Sequence, residues 1–194
     1  MFNRDIIQEL RRWAERSNRK SLVLRGARQV GKTTAVEMFS KAFDQYIYLN
    51  LEKSEEREIF NREYPFKDLL TTLFIYAEKK RTGGKTLIFI DEIQNSPKAI
   101  ALLRYFHEEA KDLYVIAAGS LLESILDRKI SFPVGRVEFM AVRPFSFCEF
   151  LNANNGQLAE ALKQASVPGF LHNQYVAWFK KYTTIGGMPE VVKE

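Results

Sequence analysis

The chain has 194 residues, 46% of them hydrophobic and 27% charged, which excludes a largely disordered chain and one of many domains. Its 29 Lys and Arg residues outnumber its 24 Asp and Glu residues, and the formal charge of +5 favours an anionic partner such as a nucleotide or a nucleic acid. Because it has one cysteine, a charged N-terminus and no apolar run of ~18 residues, we expect a cytoplasmic protein without a disulfide, secretory signal or membrane span.

Short apolar runs alternate along the chain with segments of helical periodicity, which is the pattern of an α/β protein. An amphipathic helix over residues 4–16 comes first. The predicted strands are Ser21–Arg25, Tyr46–Leu51, Thr86–Asp91, Leu113–Ala118 and Val137–Val142. Further helical patterns lie near residues 32–43, 66–80, 97–111, 120–127, 157–165 and 170–182. The charged segment 52–63 is predicted to be an exposed connection, and residues 152–156 a loop.

Residues 26–33, GARQVGKT, match the phosphate-loop pattern GxxxxGK[ST] at every fixed position, after an apolar strand and before a helix. In such a loop the backbone N–H groups surround phosphate oxygens, and the positive end of the helix points at the anion. Lys32 would reach the β- and γ-phosphates, and the Thr33 hydroxyl would bind Mg²⁺. The alternative is a strand-to-helix turn with a chance Lys-Thr pair. The predicted nucleotide-binding residues are Gly26, Ala27, Arg28, Gln29, Val30, Gly31, Lys32, Thr33 and Thr34, with the Arg28 side chain directed at a neighbouring element or solvent.

Two acids end the third predicted strand. Asp91 would hold magnesium, and Glu92 would act as the general base that polarises the attacking water. Gln94 would contact the same water or a partner. The alternative is a solvated strand end with a helix cap. The sequence lacks NKxD, the guanine-specificity signature of GTPases, and it lacks the arginine-rich lid of nucleotide kinases. It therefore favours hydrolysis of ATP with Mg²⁺.

A polar residue and an arginine complete the candidate site. Ser120 follows the fourth predicted strand, where it would sense the γ-phosphate or merely cap the next helix in the capping box Ser120-Leu121-Leu122-Glu123. Arg136 follows a Gly-Pro loop, which we expect to hold it near the nucleotide edge of the sheet, where it would neutralise charge on the γ-phosphoryl group of its own chain or of a neighbour. The alternative is a surface arginine paired with a carboxylate, and Arg128 and Arg143 are rival candidates.

The runs LRGARQVGKTT, FIDEIQ, AAGSLLES, SFPVGRVEFMAVRPFSFCEFL and IGGMPEVV together resemble the bacterial and archaeal AAA+-related ATPases, in which a C-terminal domain of nuclease-like fold follows the ATPase domain. The resemblance implies a three-layer αβα fold with a five-stranded, mainly parallel sheet, the P-loop strand central and the third-strand acids adjacent to it. It implies an ATPase core over 1–151 and a helical segment over 152–194 that begins a lid or winged-helix module, with further chain to follow. It also puts Ser120 at the sensor position, where such ATPases commonly have asparagine, and matches Arg136 to their Gly-Arg pair.

Two functions follow from these residues. The first is Mg²⁺-dependent ATP hydrolysis that couples nucleotide state to an attached or partner module. The alternative is a nucleotide-gated binding switch with little or no hydrolysis. A homo-oligomer or a partner protein would suit either function. DNA binding is a third hypothesis. It rests on the basic N-terminal helix and on the segment 128–143, in which four basic residues stand against Glu138, namely Arg128, Lys129, Arg136 and Arg143.

Overall fold

The computed structural model describes residues 4–82, 84–120, 132–164 and 169–192. Five apolar segments of this part of the chain form one sheet in which all neighbouring strands are parallel. The strands are β1 (Ser21–Arg25), β2 (Gln45–Asn50), β3 (Thr86–Asp91), β4 (Tyr114–Gly119) and β5 (Val137–Ala141). The prediction of a five-stranded parallel sheet is therefore confirmed, and every strand lies within one residue of its expected limits.

The order of the strands across the sheet is β2-β3-β4-β1-β5. The central strand is thus β4, and β4 separates β1 from β3. The expectations that β1 is central and that the β3 acids are directly beside it are wrong. The burial of the strands is consistent with this order, because β4 is buried nearly throughout, whereas β5 alternates between buried and partly exposed positions as an edge strand does.

Helices cover both faces of the sheet. One face carries α1 (Asp5–Ala14) and α2 (Lys32–Ser40), and the other carries α3 (Ser54–Asn61), α4 (Phe66–Tyr76) and α5 (Pro97–Glu109). Along β3, Leu87 and Phe89 belong to the core on the α1 and α2 side, while Ile88 and Ile90 belong to the core on the opposite side. This alternation buries β3 completely and produces the expected three-layer αβα fold.

The charged segment after β2 is a helix and not the exposed connection that its composition predicts. Within α3, Ile59 and Phe60 are buried in the core. Glu56 is also buried, and its carboxylate accepts hydrogen bonds from the backbone N–H of Asn50 and, at 2.8 Å, from Lys53 Nζ. Two apolar residues and one paired acid are therefore enough to anchor this helix, although most of its side chains are charged.

The described chain after β5 contains helices, namely α6 (Phe147–Asn154), α7 (Gly156–Leu162), α8 (His172–Ile185) and α9 (Pro189–Val192). The predicted loop over 152–156 is wrong, since α6 extends to Asn154 and Asn155 already caps α7 by accepting from the N–H of Leu158 at 3.1 Å. The expected division at residue 151 falls inside α6 and stays a prediction. None of the helices in the described ranges is long and apolar enough to cross a membrane.

Candidate active site

The predicted phosphate loop connects β1 to α2 at the carboxyl edge of the sheet. Gly31 is the N-cap of α2 and has a left-handed backbone with φ of 86°, a conformation that glycine adopts without a steric cost. Gln29 also has positive φ, at 63°. Helix α2 thus begins at Lys32, immediately after a tight turn. This arrangement presents backbone N–H groups to an anion.

The Lys32 side chain lies against the loop that contains it. Its Nζ donates to the carbonyl oxygens of Gly26 and Ala27, each at 2.8 Å, and the residue is 7% exposed. Burial lowers the pKa of Lys32 below its ordinary value, and the neighbouring carboxylates of Glu92 and Asp91 act in the opposite direction. The ammonium group is therefore held against the phosphate loop by the carbonyl oxygens of the loop itself.

Thr33 and Asp91 meet although their strands are not neighbours. Thr33 Oγ1 donates to Asp91 Oδ2 at 2.7 Å, and the backbone N–H of Glu92 donates to Asp91 Oδ1 at 3.0 Å. The contact arises because α2 leaves β1 and crosses the face of β4 to reach β3.

The chemistry of this donor set fits magnesium. A hydroxyl and a carboxylate are the oxygen ligands that Mg²⁺ prefers. No group of three or more His, Cys, Asp or Glu side chains able to hold a metal occurs among the described residues. A site with one carboxylate and one hydroxyl suits an ion whose other ligands are nucleotide phosphates and water.

Glu92 follows Asp91 in a left-handed conformation with φ of 52°. For a residue with a side chain this conformation is uncommon, and it turns Glu92 out of the strand toward the phosphate loop. The side-chain amide of Gln94 donates to Glu92 Oε2, while Gln94 Oε1 is buried with no hydrogen-bond partner in the described part of the chain. The structure therefore brings Gln94 to Glu92, where it holds the carboxylate in place.

Lys32, Thr33, Asp91 and Glu92 line one cavity of about 990 Å³, which is large enough for a nucleotide. Its described lining residues are Arg28, Gln29, Gly31, Lys32, Thr33, Thr34, Asp91, Glu92, Pro189 and Glu190. Arg28 is mostly exposed and lies 3.9 Å from a Glu52 carboxylate oxygen, and Val30 points into the core. Gly26 and Ala27 contribute carbonyl oxygens to Lys32 and are not among the lining residues.

Pro189 and Glu190 were not predicted as site residues. They come from α9, at the far end of the described chain, and reach the cavity because the preceding turn docks on the core. The backbone N–H of Phe145 donates to the Gly187 carbonyl at 2.6 Å, and Met188 packs against the core on the α2 side. The Gly-Gly-Met-Pro turn is the one sequence signal that marks this segment, and it does not show where the segment docks.

Ser120 and Arg136 lie at opposite edges of the sheet. Ser120 directly follows β4 and is half-buried at the carboxyl edge, with the phosphate loop. The helix predicted over 120–127 lies almost entirely outside the described residues, so the roles as sensor and as cap both stay predictions.

Arg136 precedes β5, and Val137 pairs with Ser21 at the amino edge. The expectation that Arg136 lies near the nucleotide edge of its own chain is therefore wrong, because the first residue of a parallel strand is at the edge opposite the loops that follow the strands. Its Nε donates to Glu108 Oε1 at 2.6 Å, as in the alternative of a paired surface arginine. Of its rivals, Arg143 lies beyond the carboxyl end of β5, and Arg128 is outside the described residues.

Residues 18–151, more than half of the chain, match the protein family described as AAA domain. No curated protein sequence matches the chain. Among solved structures, the chain is similar to the Walker-type ATPase paby2304 of Pyrococcus abyssi, with 19% identity and a TM-score of 0.58 over 99% of this chain and 66% of that one. It is also similar to C. elegans PCH-2, with 12% identity and a TM-score of 0.54 over 97% of this chain and 59% of that one.

Drosophila ORC bound to DNA is a third similar structure, with 16% identity and a TM-score of 0.55 over 97% of this chain and 57% of that one. At identities this low, the structural similarity shows a shared fold and nothing more specific. The chain spans between 57% and 66% of the length of these three structures.

Proposed function

The chain belongs to the AAA domain family, and from that premise we propose that it binds ATP with Mg²⁺ and hydrolyses the γ-phosphate bond. One observation carries the proposal. Lys32, Thr33, Asp91 and Glu92 come from two separate stretches of sequence and line the same cavity, where Thr33 and Asp91 are joined by a hydrogen bond of 2.7 Å. A fold that needed these residues only for stability would not have to gather them around an open cavity.

Each residue has a separate task in this reaction. The N–H groups of the loop and the Lys32 ammonium bind the phosphates and neutralise their negative charge. Thr33 and Asp91 would hold magnesium, which supplies further charge neutralisation when bound. Glu92 accepts a proton from water as the water oxygen attacks the γ-phosphorus and the bond to the β-phosphate oxygen breaks. Gln94 orients the Glu92 carboxylate.

We also propose that the nucleotide state is communicated to the C-terminal helices. Pro189 and Glu190 line the cavity, and the turn before them is tied to Phe145 through its backbone. A change in the phosphates bound by the loop would therefore alter contacts at α9 and, through Phe145, at the start of α6. An attached module or a partner protein would respond to that change.

The direct test of hydrolysis is steady-state ATP turnover with Mg²⁺ for the wild type and for Glu92→Gln. Loss of a general base typically lowers the rate by ~10²–10⁴-fold, so we expect the variant to bind ATP and turn it over at most about a hundredth as fast. Glu160→Gln is the matched control, because Glu160 is exposed on α7 and remote from the cavity lining. A wild-type rate no higher than that of Glu92→Gln would refute the hydrolysis proposal.

A second candidate is the nucleotide-gated switch. Two observations favour a switch. Arg136 lies at the amino edge of the sheet, and Arg28 is the one arginine among the described residues that line the cavity. Without an arginine at the γ-phosphate, turnover by an isolated chain would be slow. Limited proteolysis distinguishes a switch from an inert site, since a switch gives different cleavage of α8 and α9 with ATP and with ADP. Identical cleavage patterns would count against the switch.

Oligomerisation and DNA binding are two further proposals. Arg136 would reach a γ-phosphate only in a neighbouring chain, so turnover per chain that rises with protein concentration would support a homo-oligomer. The basic segment proposed to bind DNA includes Arg136, which is already paired with Glu108. It also includes Arg128 and Lys129, which lie outside the described residues. Affinity for duplex DNA that is insensitive to salt would refute direct binding.

A cytoplasmic location and a preference for ATP over GTP stay predictions from the sequence.

A further inference from the structure

Arg4, just before α1, is almost completely buried and uses all three of its guanidinium nitrogens. Its Nη1 donates to the carbonyl oxygen of Val30 at 3.0 Å, its Nη2 to the carbonyl oxygen of Arg143 at 2.6 Å, and its Nε to Glu149 Oε1 at 2.9 Å. Its guanidinium carbon also lies 4.4 Å from the centre of the Phe145 ring. One side chain thus contacts the phosphate loop, the segment after β5 and the start of α6.

The contact with Val30 determines how the phosphate loop presents its next N–H group. In a trans peptide the carbonyl and the following N–H point in opposite directions, and the described residues contain no cis peptide bond. Because the Val30 carbonyl points to Arg4, the Gly31 N–H points away from Arg4. Gly31 lines the cavity and Arg4 is not among its lining residues, although a Cβ on residue 31 would be 3.4 Å from Arg4 Nη1 and 3.7 Å from Pro189 Cγ. The Gly31 N–H is therefore directed toward the anion site.

Glu149 fixes the position of Arg4. Its Oε1 also accepts from the backbone N–H of Asp5 at 2.9 Å, and its Oε2 accepts from the backbone N–H of Ser146 at 2.9 Å in the capping box that begins α6. Arg4 and Glu149 are each 8% exposed. A buried carboxylate with this many donors has little freedom to move, and neither does the guanidinium paired with it.

We propose that Arg4 is a positioning residue for the phosphate loop, which aims the Gly31 N–H at the bound phosphates and, through Glu149, links that loop to the C-terminal helices. The inference rests on the proposed binding of ATP and adds to it a residue remote from the P-loop motif. The role requires arginine, because three acceptors in three directions match the planar guanidinium fork, whereas a lysine ammonium on a flexible chain cannot reach all of them in this geometry.

The test is the affinity of the full chain for a fluorescent ATP analogue with Mg²⁺, measured below the melting temperature of each variant. We expect Arg4→Lys, which retains the charge beside Glu149, to weaken binding about tenfold, the size expected when one charge-assisted hydrogen bond is lost. Arg16→Lys is the matched control, because Arg16 follows the same helix and pairs with Glu138 at 2.6 Å away from the loop. It should bind as the wild type does.

Three readouts separate positioning from general stability. A purely structural role lowers the melting temperature and leaves the affinity of the folded protein unchanged, whereas positioning raises KM for ATP and leaves kcat near the wild-type value. If Arg4→Lys does not fold, Glu149→Gln decides the question, because it retains Arg4 and removes the charge that fixes it. A weaker affinity for Glu149→Gln supports the inference, and an unchanged affinity overturns it.

The outcome for the wild type distinguishes the two proposals. A wild-type chain that does not bind the ATP analogue overturns the proposed function and this inference together. A wild-type chain that binds while folded Arg4→Lys binds equally well overturns the inference alone.

Discussion

Thr33→Val removes one hydroxyl and keeps the shape of the side chain. The hydroxyl donates at 2.7 Å to Asp91, which is 5% exposed, so the valine leaves Asp91 Oδ2 without this donor. A lost hydrogen bond to a charged group costs about 1.5–3 kcal/mol. Because Thr33 is only half-buried, we expect the lower half of that range, about 1.5–2 kcal/mol of the free energy of unfolding.

The assay is urea unfolding in EDTA, without nucleotide, so that only the hydrogen bond to Asp91 is measured. For a chain of this size the expected loss corresponds to a fall of about 3–8 °C in Tm. Thr34→Val is the matched control, because Thr34 is in the same turn of α2 and is exposed, and it should change the free energy by less than about 0.5 kcal/mol. Equal effects of the two substitutions would refute the reasoning.

Magnesium provides an independent second measurement on the same variant. If Thr33 and Asp91 hold Mg²⁺, adding Mg²⁺ strengthens ATP binding by the wild type and has a smaller effect on Thr33→Val. If the variant is destabilised in EDTA and yet responds to Mg²⁺ as the wild type does, the hydrogen bond to Asp91 is supported. The assignment of Thr33 as a metal ligand is then refuted.

Two further predictions follow from the structure. A Cβ on Gly187 would lie 2.3 Å from the carbonyl oxygen of Phe145, so Gly187→Ala should displace the turn before Pro189, cost about 1–3 kcal/mol in stability and weaken ATP binding. Gly169→Ala, where no described atom lies within 4 Å of the added carbon, should leave both the Tm and the ATP affinity unchanged, and similar results for the two variants would contradict this argument. Burial, with the nearby Asp91 and Glu37 carboxylates, raises the pKa of Tyr48 to about 12. The folded protein therefore holds the Tyr48 proton more tightly than the unfolded chain, whose tyrosine pKa is ~10, so this contribution to stability is complete below pH ~10 and is lost as the pH rises through about 12. Unfolding measured against pH should show this alkaline loss in the wild type and less of it in Tyr48→Phe, and equal profiles would refute the assignment.

The elements of the fold could largely be predicted from the sequence, because local patterns determine them. Apolar runs such as 87–90 identify the strands, and the P-loop pattern marks the turn into α2. The order of the strands could not be predicted from these patterns, since alternation shows which faces of a strand are buried and not which strands are its neighbours. The error over β4 therefore lies in the pairing of strands and not in their identification.

The candidate site shows the same limit. Thr33 and Asp91 were expected to act on one ion, and their meeting depends on the path of α2 across β4, which spacing does not reveal. The edge occupied by Arg136 could have been deduced, because a residue that precedes a parallel strand has to lie opposite the loops that follow the strands. Arg4 had no local signal, since a charged residue just before an amphipathic helix is usually solvated.

The strand order also determines when the phosphate loop can form during synthesis. β1 is made early, yet its partners are β4 and β5, and β5 ends only at Ala141. Until Ala141 has left the ribosome, β1 lacks β5, one of its two neighbouring strands. Two of the hydrogen-bond partners of Arg4 are made later still, namely Arg143 and Glu149. Folding must therefore close contacts between distant parts of the chain, which is slow in parallel sheets. The proposed nucleotide affinity would therefore depend on residues that are synthesised long after the phosphate loop itself.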